Sequence, residues 1–237
     1  MPELSIGTVK DTERYIKLLI YGAPGVGKTT FVADAPNPIY LDFENSTEAL
    51  RGGPHEGLPT ISDPKQLGDS ESVLAFLRSS KVDAYDTIII DTISSMYEVF
   101  LMAWMTDQAR QKPKVDRHIA YQQDFRKITN VLREIFYTLQ QMEKHVVLIG
   151  HEKHLVDQET NRVLEIRPAL PPSAEQSVER LINEVYYMEK KANIPPRPAT
   201  RILHVDSQGK ILAKNRSRCA ESKLENPTWK EVFGNGS

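Results

Sequence analysis

The densest chemistry in this 237-residue chain lies in Gly22-Ala23-Pro24-Gly25-Val26-Gly27-Lys28-Thr29, followed by Thr30. Glycines at this spacing let the backbone curl its N–H groups around a phosphate without Cβ collisions, and the helix that follows aims its positive end at the anion. Lys28 then reaches the β and γ phosphates, and Thr29 offers a hydroxyl to Mg²⁺. The run follows an apolar strand and opens a helix, a context that chance matches lack. Gly22, Pro24, Gly25, Val26, Gly27, Lys28, Thr29 and Thr30 are therefore the expected contacts for ATP with Mg²⁺.

Three more groups stand where they could act on the same ligand. Asp91 ends the apolar strand Thr87-Ile88-Ile89-Ile90, where a carboxylate can hold Mg²⁺ beside Thr29. Glu44 lies just past the strand Ile39-Tyr40-Leu41-Asp42-Phe43, at the carboxyl edge of a sheet, and could deprotonate an attacking water; Asp42 is the rival base. His151 follows the strand His145–Gly150 and could report on the γ-phosphate, the alternative being a solvated loop histidine. The spacing in His151-Glu152-Lys153-His154 matches no metalloprotease helix, and no cysteine joins it. Two clusters of positive charge, Arg110, Lys112, Lys114 and Arg117, then Lys153, Arg162 and Arg167, could neutralise phosphates of a nucleic acid. Basic loops are also often only solvated surface.

Short β-branched runs alternating with longer helical patterns argue for βαβ units and a mainly parallel, twisted sheet flanked by helices. Strands are expected at Lys17–Tyr21, Ile39–Phe43, Thr87–Asp91 and His145–Gly150. The stretch from Asn45 to Asp69 reads as a loop with a short strand near Thr60-Ile61, and Asp63-Pro64 opens a helix to about Arg78. Tyr121, Phe125, Ile128, Leu132, Ile135, Leu139 and Met142 mark one apolar face of a helix between Ile119 and Glu143, expected to pack on the sheet. A long polar segment follows Gly150. Strands near Asn183–Glu189, Thr200–Val205 and Lys210–Ala213 come next, the last two joined by the turn Ser207-Gln208-Gly209 into an antiparallel hairpin. Pro195-Pro196-Arg197-Pro198 reads as a loop.

The length suits one α/β domain. Cys219 is the only cysteine, so no intrachain disulfide can form and a reducing compartment is expected. Apolar runs such as Val146–Ile149 are too short to cross a bilayer, and no signal-peptide pattern opens the chain; the expected location is the cytoplasm, with no membrane partner. A net charge of -2 supplies no global attraction to nucleic acid, so any such binding must come from local loops.

Glutamate after the second strand, aspartate at the end of the third, a polar residue after the next and Lys214-Asn215-Arg216 late in the chain together resemble the RecA recombinase core, from Lys17 to about Arg218. Gly22–Thr30, Leu41–Glu44 and Ile88–Asp91 look most like phage-encoded minimal RecA-like single-strand annealing proteins. The resemblance implies an α/β RecA-like ATPase core at 17–218, an N-terminal segment 1–16 that contacts a neighbouring subunit, and a C-terminal tail 219–237. It implies that Lys214 and Arg216 reach a neighbour's γ-phosphate, as the family's Lys-Asn-Lys segment does. It makes the two basic loops DNA-binding loops, and single-stranded DNA, further copies of the chain and a single-stranded-DNA-binding protein the expected partners, in a host cytoplasm if the chain is phage-encoded. The activity implied is DNA-stimulated ATP hydrolysis coupled to strand annealing or recombination. A replication-module motor or loader and a small-molecule kinase are the alternatives. His151 stands where RecA has glutamine, a departure that bears on how DNA binding couples to hydrolysis.

Overall fold

The computed structural model describes residues 14–234 apart from 113, 115, 172–173, 194–197 and 217–220. In chain order its elements are β1 (Lys17–Tyr21), α1 (Lys28–Val32), β2 (Pro38–Asp42), β3 (Thr60–Ile61), α2 (Pro64–Leu67), α3 (Ser70–Leu77), β4 (Thr87–Asp91), α4 (Ile93–Gln111) and α5 (Gln122–Gln141). Then come β5 (His145–Gly150), β6 (Glu152–Val156), β7 (Val163–Pro168), α6 (Glu175–Leu181), β8 (Glu184–Lys191), β9 (Thr200–His204), β10 (Lys223–Glu225) and α7 (Trp229–Phe233).

The main sheet runs β10-β9-β8-β1-β5-β4-β2-β3, parallel from β8 to β3 and antiparallel at the β8-β9-β10 end. Strands that cross the middle of such a sheet are covered on both faces, which is why they read as unbroken apolar runs. Successive side chains point to opposite faces, so Ile88 and Ile90 join the layer built by α3, α4, α5 and α6 while Ile89 joins that of α1 and α7. Leu18, Ile20, Val147 and Ile149 face the α1 side, and Leu19, Val146 and Leu148 the other.

Local differences from the sequence expectation have local causes. The helix expected from Pro64 to Arg78 breaks at Gly68-Asp69, because the Asp69 carboxylate accepts the Glu71 N–H (3.2 Å) and starts α3 afresh. The apolar stripe of α5 is buried from Ile128 to Leu139, but Tyr121 and Phe125 are 57% and 42% exposed: the helix overhangs the sheet at its N-terminal end. The polar stretch after Gly150 is not a loop; it forms the two-stranded β6-β7 ribbon and α6.

The hairpin expected between Thr200–Val205 and Lys210–Ala213 is not made. The turn exists, with Gly209 at φ 57 and the Ser207 hydroxyl bridging the Ala213 carbonyl and N–H at 2.8 and 2.9 Å. Its return arm bridges β7 through Ile166 and Ile211 instead, and the antiparallel partner of β9 is β10. Residues 223–233, within the segment expected as a tail, thus complete the sheet edge and bury Trp229 and Val232 in the core. Residues 1–13, most of the proposed N-terminal contact, lie outside the described residues, as do Cys219 and most of the Pro195–Pro198 loop.

One buried charge ties the layers together. Lys17, at the start of β1, donates to the carbonyls of Leu139, Met142 and Lys144, each at 2.9 Å, and so satisfies the C-terminal end of α5. Burial lowers its ammonium to about 8, still charged at neutral pH. Lys17→Met leaves those carbonyls without a donor, and the expected loss is about 1–3 kcal/mol of stability, read from the urea midpoint. An unchanged midpoint would show that water replaces the ammonium at no cost.

Candidate functional site

The phosphate loop sits on the β8-β9 ribbon, and its glycines are explained by that contact. At Gly22 (φ +154) a Cβ would meet the Met188 carbonyl oxygen at 2.0 Å; at Gly27 (φ +103) it would meet Arg201 Nε at 2.6 Å. Gly25 (φ +73) faces open space and supplies only the left-handed turn. Val26 anchors the loop in the core while Pro24 and Gly25 remain exposed. Lys28 is buried, its ammonium resting on the carbonyls of Gly22 (2.8 Å) and Ala23 (2.9 Å). Burial pulls its pKa below the ordinary lysine value against the pull of Asp91, Glu44 and Glu152.

Asp91 closes the other side. Its Oδ2 accepts from Thr29 Oγ1 at 2.9 Å and Ser46 Oγ at 2.5 Å, so the strand end and the loop meet. It is 1% exposed, and burial raises its carboxyl to about 6, with Asp42 and Glu44 pushing the same way and the two hydroxyl bonds opposing. The peptide joining Asp91 to Thr92 is cis. A hydroxyl, a carboxylate and the neighbouring Ser46 form an all-oxygen donor set of the kind a hard divalent cation takes. Together with a glycine-rich loop that leaves no room for a Cβ at Gly22 or Gly27, these residues fit a Mg²⁺-nucleotide.

Glu44 and His151 are brought together. Glu44 Oε1 accepts from Ser95 Oγ (2.6 Å), His151 Nε2 (2.9 Å) and Thr92 Oγ1 (3.0 Å), which joins the ends of β2 and β5 to the first turn of α4. Burial raises its pKa, but the bonds from Ser95, His151 and Thr92 outweigh it and hold the carboxyl below its ordinary value. All three bonds fall on Oε1, leaving Oε2 to accept from water. Asp42 is unavailable as a base: its two oxygens take the N–H groups of Glu44, Ser46 and Thr47 and the hydroxyls of Ser46 and Thr47. It shapes the turn that presents Glu44.

The other candidates lie apart. Lys214 pairs its backbone with Val185, and its ammonium caps the Ile182 carbonyl at 3.1 Å, turned from its own phosphate loop toward the start of β8. The Arg216 N–H bonds Glu184 Oε2 at 2.9 Å. Arg110, Lys112, Lys114 and Arg117 are exposed around the α4–α5 connection. Arg162 is exposed beside the β6-β7 turn, whereas Lys153 and Arg167 face Glu175 at 3.5 and 3.9 Å. Ser46, Thr92 and Ser95, none of them singled out in the sequence, complete the hydrogen bonds around Asp91 and Glu44.

Fold and site together define a RecA-like phosphate-loop ATPase: β1 and its loop, then β5, then β4 with Asp91, then β2 with Glu44. A family model described as an AAA domain (AAA_24) matches residues 14–217, and the chain belongs to that family. Nucleotide use, and as a rule Mg²⁺ use, comes with it. A search of curated proteins finds no match. Among solved structures the chain is similar to the RadB recombinase, at 13% identity over 89% of this chain and 86% of that one with a TM-score of 0.49. It is similar to a KaiC-like protein from the hyperthermophilic archaeon Pyrococcus horikoshii OT3 (15%, 81% and 78%, 0.46). It is also similar to the flagellar accessory protein FlaH from Methanocaldococcus jannaschii (12%, 81% and 78%, 0.42). Among the described residues no helix is long and apolar enough to cross a membrane.

Asp91 gives the site a pH signature. Its folded pKa stands above the ordinary 3.8, so the folded chain binds the extra proton between that value and about 6, and the stability of the nucleotide-free chain falls as pH rises through this window. Cation binding needs the ionised form. The tightening of ATP binding by Mg²⁺ should therefore fade as pH drops through about 6. Asp91→Asn should abolish the difference between Mg²⁺ and chelator at every pH. A Mg²⁺ effect that persists in the variant would remove Asp91 from the cation site.

Proposed function

We propose that this chain hydrolyses ATP, assembles on single-stranded DNA and promotes annealing of complementary strands. The observation that carries the hydrolytic part is the fixed carboxylate of Glu44, held by Ser95, Thr92 and His151 across the crevice from Lys28, Thr29 and Asp91. Lys28 exchanges the loop carbonyls for phosphate oxygens. Thr29 and Asp91, with Ser46 behind them, hold the divalent ion. When bound, such an ion neutralises charge that builds on the phosphate oxygens. Glu44 orients a water and takes its proton, and His151 positions Glu44.

The location of Lys214 on the far side of β1 favours a role in trans. Its ammonium is spent on its own chain's Ile182 carbonyl, so with Arg216 it serves a neighbouring subunit's phosphates or none. For DNA, the cations Arg110, Lys112, Lys114 and Arg117 are exposed around the α4–α5 connection, and Tyr121 and Phe125, where α5 begins, are exposed as well. Cations that track the backbone, with aromatic faces on which bases stack, suit single strands of any sequence. Arg162 extends the same chemistry; Lys153 and Arg167, engaged with Glu175, contribute less.

Glu44→Gln should bind ATP normally and lose turnover by about 10²–10⁴-fold, while Lys28→Ala loses binding itself. Lys214→Ala with Arg216→Ala should bind ATP and hydrolyse it poorly; normal turnover there rejects the trans role. The decisive experiment measures ATPase rate and light scattering with and without single-stranded DNA, alongside annealing of complementary strands. Stimulation, assembly and annealing are expected, with Tyr121→Ala/Phe125→Ala weakening DNA binding by about 1–3 kcal/mol per lost stack. ATPase activity with no response to DNA would point to a motor or loader acting on another partner.

A further inference from the structure

The phosphate loop is touched by a second cation. The Nε, Cζ and Cδ atoms of Arg201 lie 2.6, 2.9 and 3.0 Å from where a Cβ of Gly27 would stand, so the guanidinium packs directly on the backbone that precedes Lys28. We propose that Arg201 is a nucleotide-binding residue, acting in cis on the phosphate chain of a nucleoside di- or triphosphate. The inference rests on the phosphate-binding reading of the loop.

The ribbon's register explains why this arginine is available. Arg201 pairs with Lys190 on β8, and its N–H donates to Asn226 Oδ1 at 2.9 Å while its carbonyl accepts from Asn226 N at 2.7 Å. Paired residues of adjacent strands share a face, so the cross-strand neighbours on its own face are a lysine and an asparagine. The nearest acids of the ribbon, Glu189 and Glu225, pair with Ile202 and stand on the opposite face, where Glu189 holds His204 at 2.9 Å; Glu184, on the same face as Arg201, is at the other end of β8 and pairs with Arg14. Among the described residues Arg201 is in no ion pair.

A half-buried guanidinium without a carboxylate is costly to keep, and here it abuts the backbone of an anion-binding loop. The carboxylates of the site, Asp91, Asp42 and Glu44, lie at the ends of β4 and β2, and Arg201 stands on β9, on the other side of β1 and its loop. An anion laid along the loop therefore has a guanidinium on one flank and the carboxylates on the other, with Lys28 in the loop between them. The planar, always-charged fork of arginine suits two phosphate oxygens at once. It also gives Gly27 a second reason to be glycine, since any side chain there would displace the guanidinium.

The test uses the full chain with a fluorescent ATP analogue, displaced by ATP, ADP and inorganic pyrophosphate. Arg201→Gln removes the charge and keeps a polar side chain on the same three-carbon stem; it should weaken all three competitors by about tenfold or more. Arg201→Lys should recover part of that loss. Equal melting temperatures for the variants separate binding from folding, and the unsubstituted chain sets the reference affinity. Wild-type affinities in Arg201→Gln would overturn the proposal and leave Arg201 as packing. A loss for ATP and ADP with pyrophosphate unchanged would also overturn it, placing the contact on the nucleoside. If the wild-type chain binds neither ATP nor pyrophosphate, the reading of the loop fails first and the proposal with it.

Discussion

A carboxylate in a nearly water-free position at the end of β4 organises everything around it. Asp91 cannot remain ionised there without donors, and the donors it recruits are the hydroxyls of Thr29 and Ser46. The first fixes the end of the phosphate loop against β4. The second belongs to the turn after β2, which Asp42 shapes through its own bonds to residues 44, 46 and 47. The Asp91 carbonyl also accepts the Phe43 N–H at 2.7 Å. One buried acid thus joins the loop, through Thr29, to the turn that carries Ser46 and Glu44.

The same economy appears on the opposite flank. Gly22 lets the loop rest on the Met188 carbonyl, and Gly27 lets it rest on Arg201, so the antiparallel β8-β9 ribbon acts as a platform for a loop that belongs to the parallel sheet. The ribbon is kept level by β10 and by Trp229, whose ring packs on Phe31 of α1 at 6.1 Å. The last elements of the chain therefore support the first functional one. The segment that reads as a tail in sequence is structural because β10 pairs with β9 and α7 buries Trp229 and Val232.

What could be read from the sequence was what local chemistry determines. The loop, Asp91, Glu44 and the central strands are contiguous runs whose residue types serve one purpose each. Ser46, Thr92, Ser95 and Arg201 carry no such mark, since a serine, a threonine or an arginine becomes part of a site only through register across the sheet. The β6-β7 ribbon was missed because its strands are half exposed and largely polar, which erases the alternation that betrays a buried strand. The Lys210–Ala213 strand was misassigned for the opposite reason: its pattern and turn are real, but its partner is β7, through the Ile166–Ile211 bridge. Tyr121 and Phe125 continue a helical period past the point where there is any sheet to cover.

His151 occupies the junction where these parts meet. It is the single residue between β5 and β6, its carbonyl accepts the Ala169 N–H at 2.8 Å, and its ring holds Glu44. The ribbon it leads into carries Arg162 at its turn and Lys153 and Arg167 against α6. A glutamine here could donate to the same oxygen, but a histidine, with two ring nitrogens of opposite role, commits one to Glu44 and leaves the buried Nδ1 without a partner among the described residues. The bond from its ring joins the start of the β6-β7 ribbon directly to Glu44. In the proposed reading, Arg162 at the turn of that ribbon meets DNA, and His151 is the residue that connects the ribbon to the base that activates water.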